Sequence, residues 1–148
     1  MNKMTATHLI GAILGALAYL IQGVTVGFLF LNHAYEAYSN AGLSKGLEVD
    51  LRLIVVASLL ISFLFVFVFS NWKNGINGGK GAIAGAIIFL LAGSAFDVAT
   101  YASTNLYNSP IIIFLSAAGS LIGGAVVGCV TGWWLGRKAN KEDDKSNQ

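Results

Sequence analysis

Asp97 is the one acidic residue inside a long apolar run of this chain. If that run crosses a bilayer, the carboxylate is a candidate for function by default, because an ionised group is costly in hydrocarbon. Asp97 lies four residues past Gly93 and twelve past Gly85, so a helix would place it near its small-residue side. The helical rise puts it about 24 Å from the inner end of the run, near the outer edge of a hydrocarbon core about 30 Å thick. The plainer alternative is an aspartate that reaches outer water or bonds to Tyr101 or Thr100. His33 and Glu36, three residues apart, share a helix face. Together with Asp97 they could make an outer polar cluster able to hold a proton or a divalent cation. No second His–carboxylate pair completes a metal site, however, and interfacial polar residues are the simpler reading. Gln22 and Thr25 fall deep in the first apolar run, where hydrogen bonding to a neighbouring helix is expected before any role in lining a pathway. Asp97, Gln22, His33, Glu36 and Tyr101 are therefore the candidate polar residues of a transport route.

Other chemistry finds no support in the spacing. The glycines lie within apolar runs, and no Gly-Lys-Ser/Thr comes after them, so there is no phosphate-binding loop. There is no serine nucleophile elbow and no pair of carboxylates placed for acid–base work. Cys129 is the single cysteine. It has no disulfide partner in the chain and no metal-ligand spacing, and reads as a small packing residue. We expect no catalytic residues, no metal and no cofactor, and hence no enzyme.

Composition indicates the elements that would position these residues. Of 148 residues, 55% are hydrophobic and 11% charged, against about 25% charged in soluble domains. Too few polar residues remain to cover a water-soluble bundle. Four runs, residues 7–31, 51–70, 81–102 and 110–135, each offer the roughly 20 apolar residues that a spanning helix needs. The expected fold is all-α, a polytopic bundle of four transmembrane helices in one domain over residues 1–138, with a charged cytoplasmic tail at 139–148. With both termini inside, seven basic residues are cytoplasmic (Lys3, Lys73, Lys80, Arg137, Lys138, Lys141 and Lys145) and two, Lys45 and Arg52, are outside. That satisfies the positive-inside rule, which the opposite orientation would invert. Trp72, Trp133 and Trp134 mark the inner boundary, while Tyr35, Tyr38, Tyr101 and Tyr107 lie at or beyond the outer one. Lys3 and Ala16-Leu17-Ala18 weakly mimic a signal peptide, but the apolar run continues to Leu31, so an uncleaved first span is expected.

The spans differ in their small residues. The first carries Gly11, Gly15, Gly23 and Gly27; the third Gly81, Gly85 and Gly93; the fourth Ser116, Ser120, Gly124, Gly128, Gly132 and Gly136. Residues four apart lie on one helix face. In lipid, where no hydrophobic effect drives helices together, such rows let backbones approach and gain van der Waals contact. Spans one, three and four are therefore expected to pack through glycine-lined faces, the fourth with a right-handed crossing near −40°. The second span, LRLIVVASLLISFLFVFVFS, has no glycine and is expected to face lipid over most of its circumference. A four-residue step drifts about 40° around a helix of 3.6 residues per turn, so the row on span four could serve two neighbours. The expected partners are the lipid bilayer and either a second copy, most simply in a dimer, or another membrane protein. The cytoplasmic basic residues are too few for nucleic acid, though they could contact anionic headgroups.

Residues 32–40 extend the first helix or bend along the interface. Asn40, Gly42 and Gly46 act as breakers in the first connection, and Pro110 suits the first turn of the last helix. The tail RKANKEDDKSNQ is either flexible or a solvated helical extension. The stretches GAILGALAYLIQG and GKGAIAGAIIFLLAGSAFDVATYASTNL, the latter carrying Asp97, Tyr101 and Asn105 at four-residue steps, resemble small four-span bacterial membrane proteins of unknown function. That resemblance implies a bacterial inner membrane and brings no activity. The functional expectation is a small subunit, assembly partner or modulator that packs through glycine faces. The alternative is an oligomeric channel or transporter with a polar route near Asp97.

Overall fold

The computed structural model describes residues 3–39, 51–72, 75–103 and 109–146, with side chains described over 6–25, 51–72, 75–103 and 109–137. The described residues form four helices: α1 (Lys3–Ser39), α2 (Leu51–Ser70), α3 (Gly78–Ser103) and α4 (Ile111–Ser146). Each contains a segment long and apolar enough to cross a membrane: Ala6–Thr25, Leu51–Ser70, Gly78–Ser103 and Ile111–Arg137.

Local chemistry sets the helix ends. At the end of α2, the Ser70 hydroxyl and the Asn71 side-chain amide both donate to the Phe67 carbonyl, at 3.0 and 2.8 Å, satisfying an acceptor the helix leaves open. Gly75, between α2 and α3, takes a left-handed φ of 64°, a conformation glycine adopts without steric cost. Asn77 then caps α3: its Oδ1 accepts the Lys80 amide at 2.9 Å, and its carbonyl accepts Gly81 N–H at 2.8 Å. Ser109 and Pro110 open α4, their carbonyls accepting the Ile112 and Ile113 amides at 3.3 and 3.1 Å. Two helices outrun their apolar stretches, α1 continuing to Ser39 and α4 through the charged tail to Ser146.

α4 is the centre of the bundle. It packs along α3 and also touches α1 and α2, while α1 packs on α2. The buried apolar cluster is Phe65, Phe69, Ile76, Val127 and Leu135, with Tyr19, Phe89 and Trp134 against it. Span two therefore does more than its bulk suggested. Residues 51–57 of α2 are exposed as expected, but Phe65 and Phe69 supply the largest core side chains. Small residues of α1 let α2 approach, Gly11 standing against Val66 and Gly15 against Ser62, while the Phe65 ring packs on Phe69 of its own helix and on Phe89 of α3. Much of the remaining surface is apolar, including Phe114, Val24, Leu51 and Phe67.

Candidate functional site: the α3–α4 seam and its polar neighbours

The α3–α4 contact is a ladder. A Cβ built on Gly81 would overlap the Gly128 carbonyl oxygen, and one on Gly85 would overlap that of Gly124; the reverse holds for Gly128 and Gly124 against the carbonyls of Gly81 and Gly85. Toward the start of α3, a Cβ on Gly132 would lie 3.0 Å from the Gly81 Cα and 2.7 Å from the Asn77 carbonyl oxygen. Gly136 meets Ile76 and Asn77. Toward the end of α3, a Cβ on Gly93 would lie 2.6 Å from Ser120 Oγ. Gly81 and Gly85 meet Gly128 and Gly124 in reverse order, so the two helices run antiparallel, and beyond Phe89 the contact continues with Gly93 against Ser120.

Phe89 is the exception in the α3 row. It stands where the series 81, 85, 93 would carry another small residue, and its Cβ lies 2.6 Å from where a Cβ on Gly124 would be. Its ring reaches away from the seam to Phe65 of α2 (5.2 Å between centroids) and Tyr19 of α1 (5.9 Å, edge to face). Phe65 in turn packs on Phe69, and Phe69 on Trp72. Phe89 thus links α3 directly to α1 and α2, a role the small-residue pattern does not announce.

On α1, a Cβ at Gly11 would meet Trp134 Cδ1 at 3.2 Å and Val66 Cγ2 at 3.4 Å. One at Gly15 would lie 2.8 Å from Thr131 Oγ1 and 3.1 Å from Ser62 Oγ. Gly23 differs: it is exposed, and a Cβ there would meet nothing within 4 Å. Gly27 lies beyond the described side chains. Trp134 Nε1–H donates to the Thr7 carbonyl at 3.1 Å, fastening the N-terminal part of α1 to α4. Beside it the Arg137 guanidinium sits 5.4 Å from the Trp133 ring centre, within cation–π range.

The polar candidates separate. Asp97 is buried, with 5% of its surface exposed, so within this chain its side chain is not open to the surroundings. Tyr101, one turn further, is exposed. Gln22 is half-buried, its carboxamide against α4 with Oε1 2.8 Å from where a Gly123 Cβ would be. Thr25 Oγ1 donates back to the Ile21 carbonyl at 2.8 Å. His33 and Glu36 fall on α1, but their side chains are outside the described set, so the proposed cluster with Asp97 has no described geometry. Among the described residues, no three of His, Cys, Asp and Glu come together as metal ligands.

Two buried hydroxyls add to this picture. Ser62 Oγ and Thr131 Oγ1 are fully buried and make no hydrogen bond, both facing the space left open by Gly15. Ser58, one turn before Ser62, instead donates to the Ile54 carbonyl at 2.7 Å. The four-residue spacing of Ser58 and Ser62 is visible in the sequence. Thr131, set between Val130 and Gly132, carries no signal of its own.

No protein-family model matches the chain, and no curated protein or solved structure matches it.

Proposed function

We propose that the chain is a multi-pass protein of a bacterial inner membrane, with both termini cytoplasmic, acting as a structural or interaction subunit that packs through its glycine faces. The observation that carries this reading is the α3–α4 seam, where carbonyl oxygens of one helix occupy the places of missing side chains on the other. Backbone approach of this kind gives dispersion contact along two whole helices without any polar route between them. The outward-facing apolar side chains suit acyl chains, and Trp133, Trp134 and Arg137 suit the inner interface.

The test compares Gly128→Leu with Asp97→Asn after extraction in mild detergent, measuring the mass and composition of the recovered assembly. A packing subunit keeps its assembly with Asp97→Asn and loses it with Gly128→Leu. Loss with Asp97→Asn in an otherwise folded protein would overturn the reading.

One observation favours a second reading. Asp97 is buried inside an apolar helix, which is how carboxylates of ion and proton pathways are placed. A transporter reconstituted in liposomes would lose flux with Asp97→Asn while remaining assembled.

A further inference from the structure

One exposed stripe of α4 changes character along its length. Val126, Cys129 and Trp133 are exposed, and Arg137 follows them, also exposed. Steps of three, four and four residues keep all four on one side of the helix. The stripe is therefore apolar, then aromatic, then cationic. The Arg137 guanidinium lies 5.4 Å from the centre of the Trp133 ring. Stacking of that kind holds it in place and leaves its planar set of N–H donors for an oxyanion. The start of α3 keeps the stripe open: a Cβ on Gly78 would lie 3.4 Å from Trp133 Cβ and 3.5 Å from Cys129 Sγ, so glycine leaves bare a strip that a side chain would crowd. The charge around Arg137 has one sign. Among the described side chains, this end of the bundle holds Arg137 and Lys80 and no carboxylate, Asp97 belonging to the other end of α3. The connection between α2 and α3 adds Lys73 and no acid, and residues 138–146 add three lysines and three acids, which cancel.

From this we infer, on the membrane reading given above, that the stripe seats one anionic phospholipid: its phosphate on Arg137, its glycerol region at Trp133 and an acyl chain along Cys129 and Val126. Three features select this occupant. The order of polarity along the stripe is that of a phospholipid from head to tail, with an indole at the level where aromatic side chains meet headgroups. The length agrees: Val126 lies eleven residues from Arg137, about 16 Å along the helix, close to the depth of about 15 Å that one leaflet fills in a hydrocarbon core of about 30 Å. The charge agrees as well, because a planar guanidinium matches the oxygens of a phosphate and the surrounding cations repel a headgroup that brings a positive charge of its own. A soluble anion would use only the Arg137 end and leave the apolar length bare, and an acidic peptide has no hydrocarbon to lay along it.

The experiment takes the full chain in a neutral mild detergent and adds phosphatidylglycerol or phosphatidylcholine with identical acyl chains, counting the lipids retained per chain by native mass spectrometry. Phosphatidylglycerol is expected to be held in preference, one per chain. Arg137→Gln is expected to weaken its retention about fivefold, the share of one basic residue near a membrane surface, while the thermal melt of the lipid-free chain stays in place. Lys80→Gln removes a charge from the same end of the bundle but not from the stripe, and is expected to weaken retention less. Arg52→Gln, on α2, is expected to leave it unchanged. Bromine on the acyl chains should quench tryptophan fluorescence, and Trp133→Phe should remove most of that quenching. Equal retention of the two lipids, equal losses with Lys80→Gln and Arg137→Gln, or quenching that persists in Trp133→Phe would overturn the inference and leave the membrane reading standing. Displacement of the lipid by an equal concentration of glycerol phosphate would also overturn it, by making the site one for a soluble phosphate. Recovery of the chain outside the membrane fraction of cells would instead remove the membrane reading, and the lipid site with it.

Discussion

Gly79 and Gly81 are two residues apart at the start of α3, and they should respond oppositely to the same methyl group. A Cβ on Gly79 meets only Asn77 Oδ1, at 3.6 Å, an ordinary contact; one on Gly81 runs into the Gly128 carbonyl. Backbone cannot rotate aside as a side chain can. Gly81→Ala is therefore expected to cost about 1–3 kcal/mol through overpacking. Gly79→Ala leaves stability unchanged or raises it by up to about 1 kcal/mol, since alanine is the better helix former. Thermal denaturation in mild detergent, followed by helical circular dichroism, checks both. The row itself was legible, because small residues at every fourth position are a sequence pattern. Which glycine meets which neighbour was not. Gly11, Gly15 and Gly23 look alike in sequence, yet the first two press on α2 and α4 while Gly23 is exposed. Nor does spacing show that Ser62 and Thr131 turn their hydroxyls toward the same gap: that depends on the rotation of three helices about their own axes.

At the scale of the element, Phe89 decides whether α3 belongs to the bundle or only to α4. Its ring is the described aromatic link from α3 to α1 and α2. Phe89→Ala would leave a void between Tyr19, Phe65 and the seam, at a cost of about 3 kcal/mol. Amide exchange should then quicken in α1 around Tyr19 and in α2 around Phe65, while the α3–α4 ladder stays protected. Equal loss of protection in all four helices would show that the seam does not stand without the ring. The spans themselves were readable. The second was expected at 51–70 and found at Leu51–Ser70. The others run past their apolar stretches for a simple reason: hydropathy measures the slab to be crossed, whereas a helix stops only where its hydrogen bonds are capped or broken. Asn77 caps α3 so that it begins at Gly78, three residues before the expected 81, and no breaker interrupts α4 between its apolar run and Ser146.

For the whole molecule, the charge distribution predicts orientation. Seven basic residues against two favour both ends inside. A protease-sensitive tag at either terminus should be shielded in intact cells and cut in inverted membrane vesicles. Cutting in intact cells would reverse the assignment. The order of packing was not legible at this scale, because three of the four spans carry small-residue rows and any two of them could have paired. The structure gives the closest pairing to α3 and α4, which are also neighbours in the chain, so a short connection suffices to bring them together.

The central position of α4 bears on how the protein is made. A chain is synthesised from its N-terminus, and of the four helices the one that touches the other three emerges after them. Until it arrives, Gly81 and Gly85 have no opposing backbone and the Thr7 carbonyl has no indole to accept from. An unfinished chain therefore holds three helices without their common scaffold. Closure of the bundle therefore waits for α4, and a product truncated before residue 111 would present the bare glycine faces of α1 and α3.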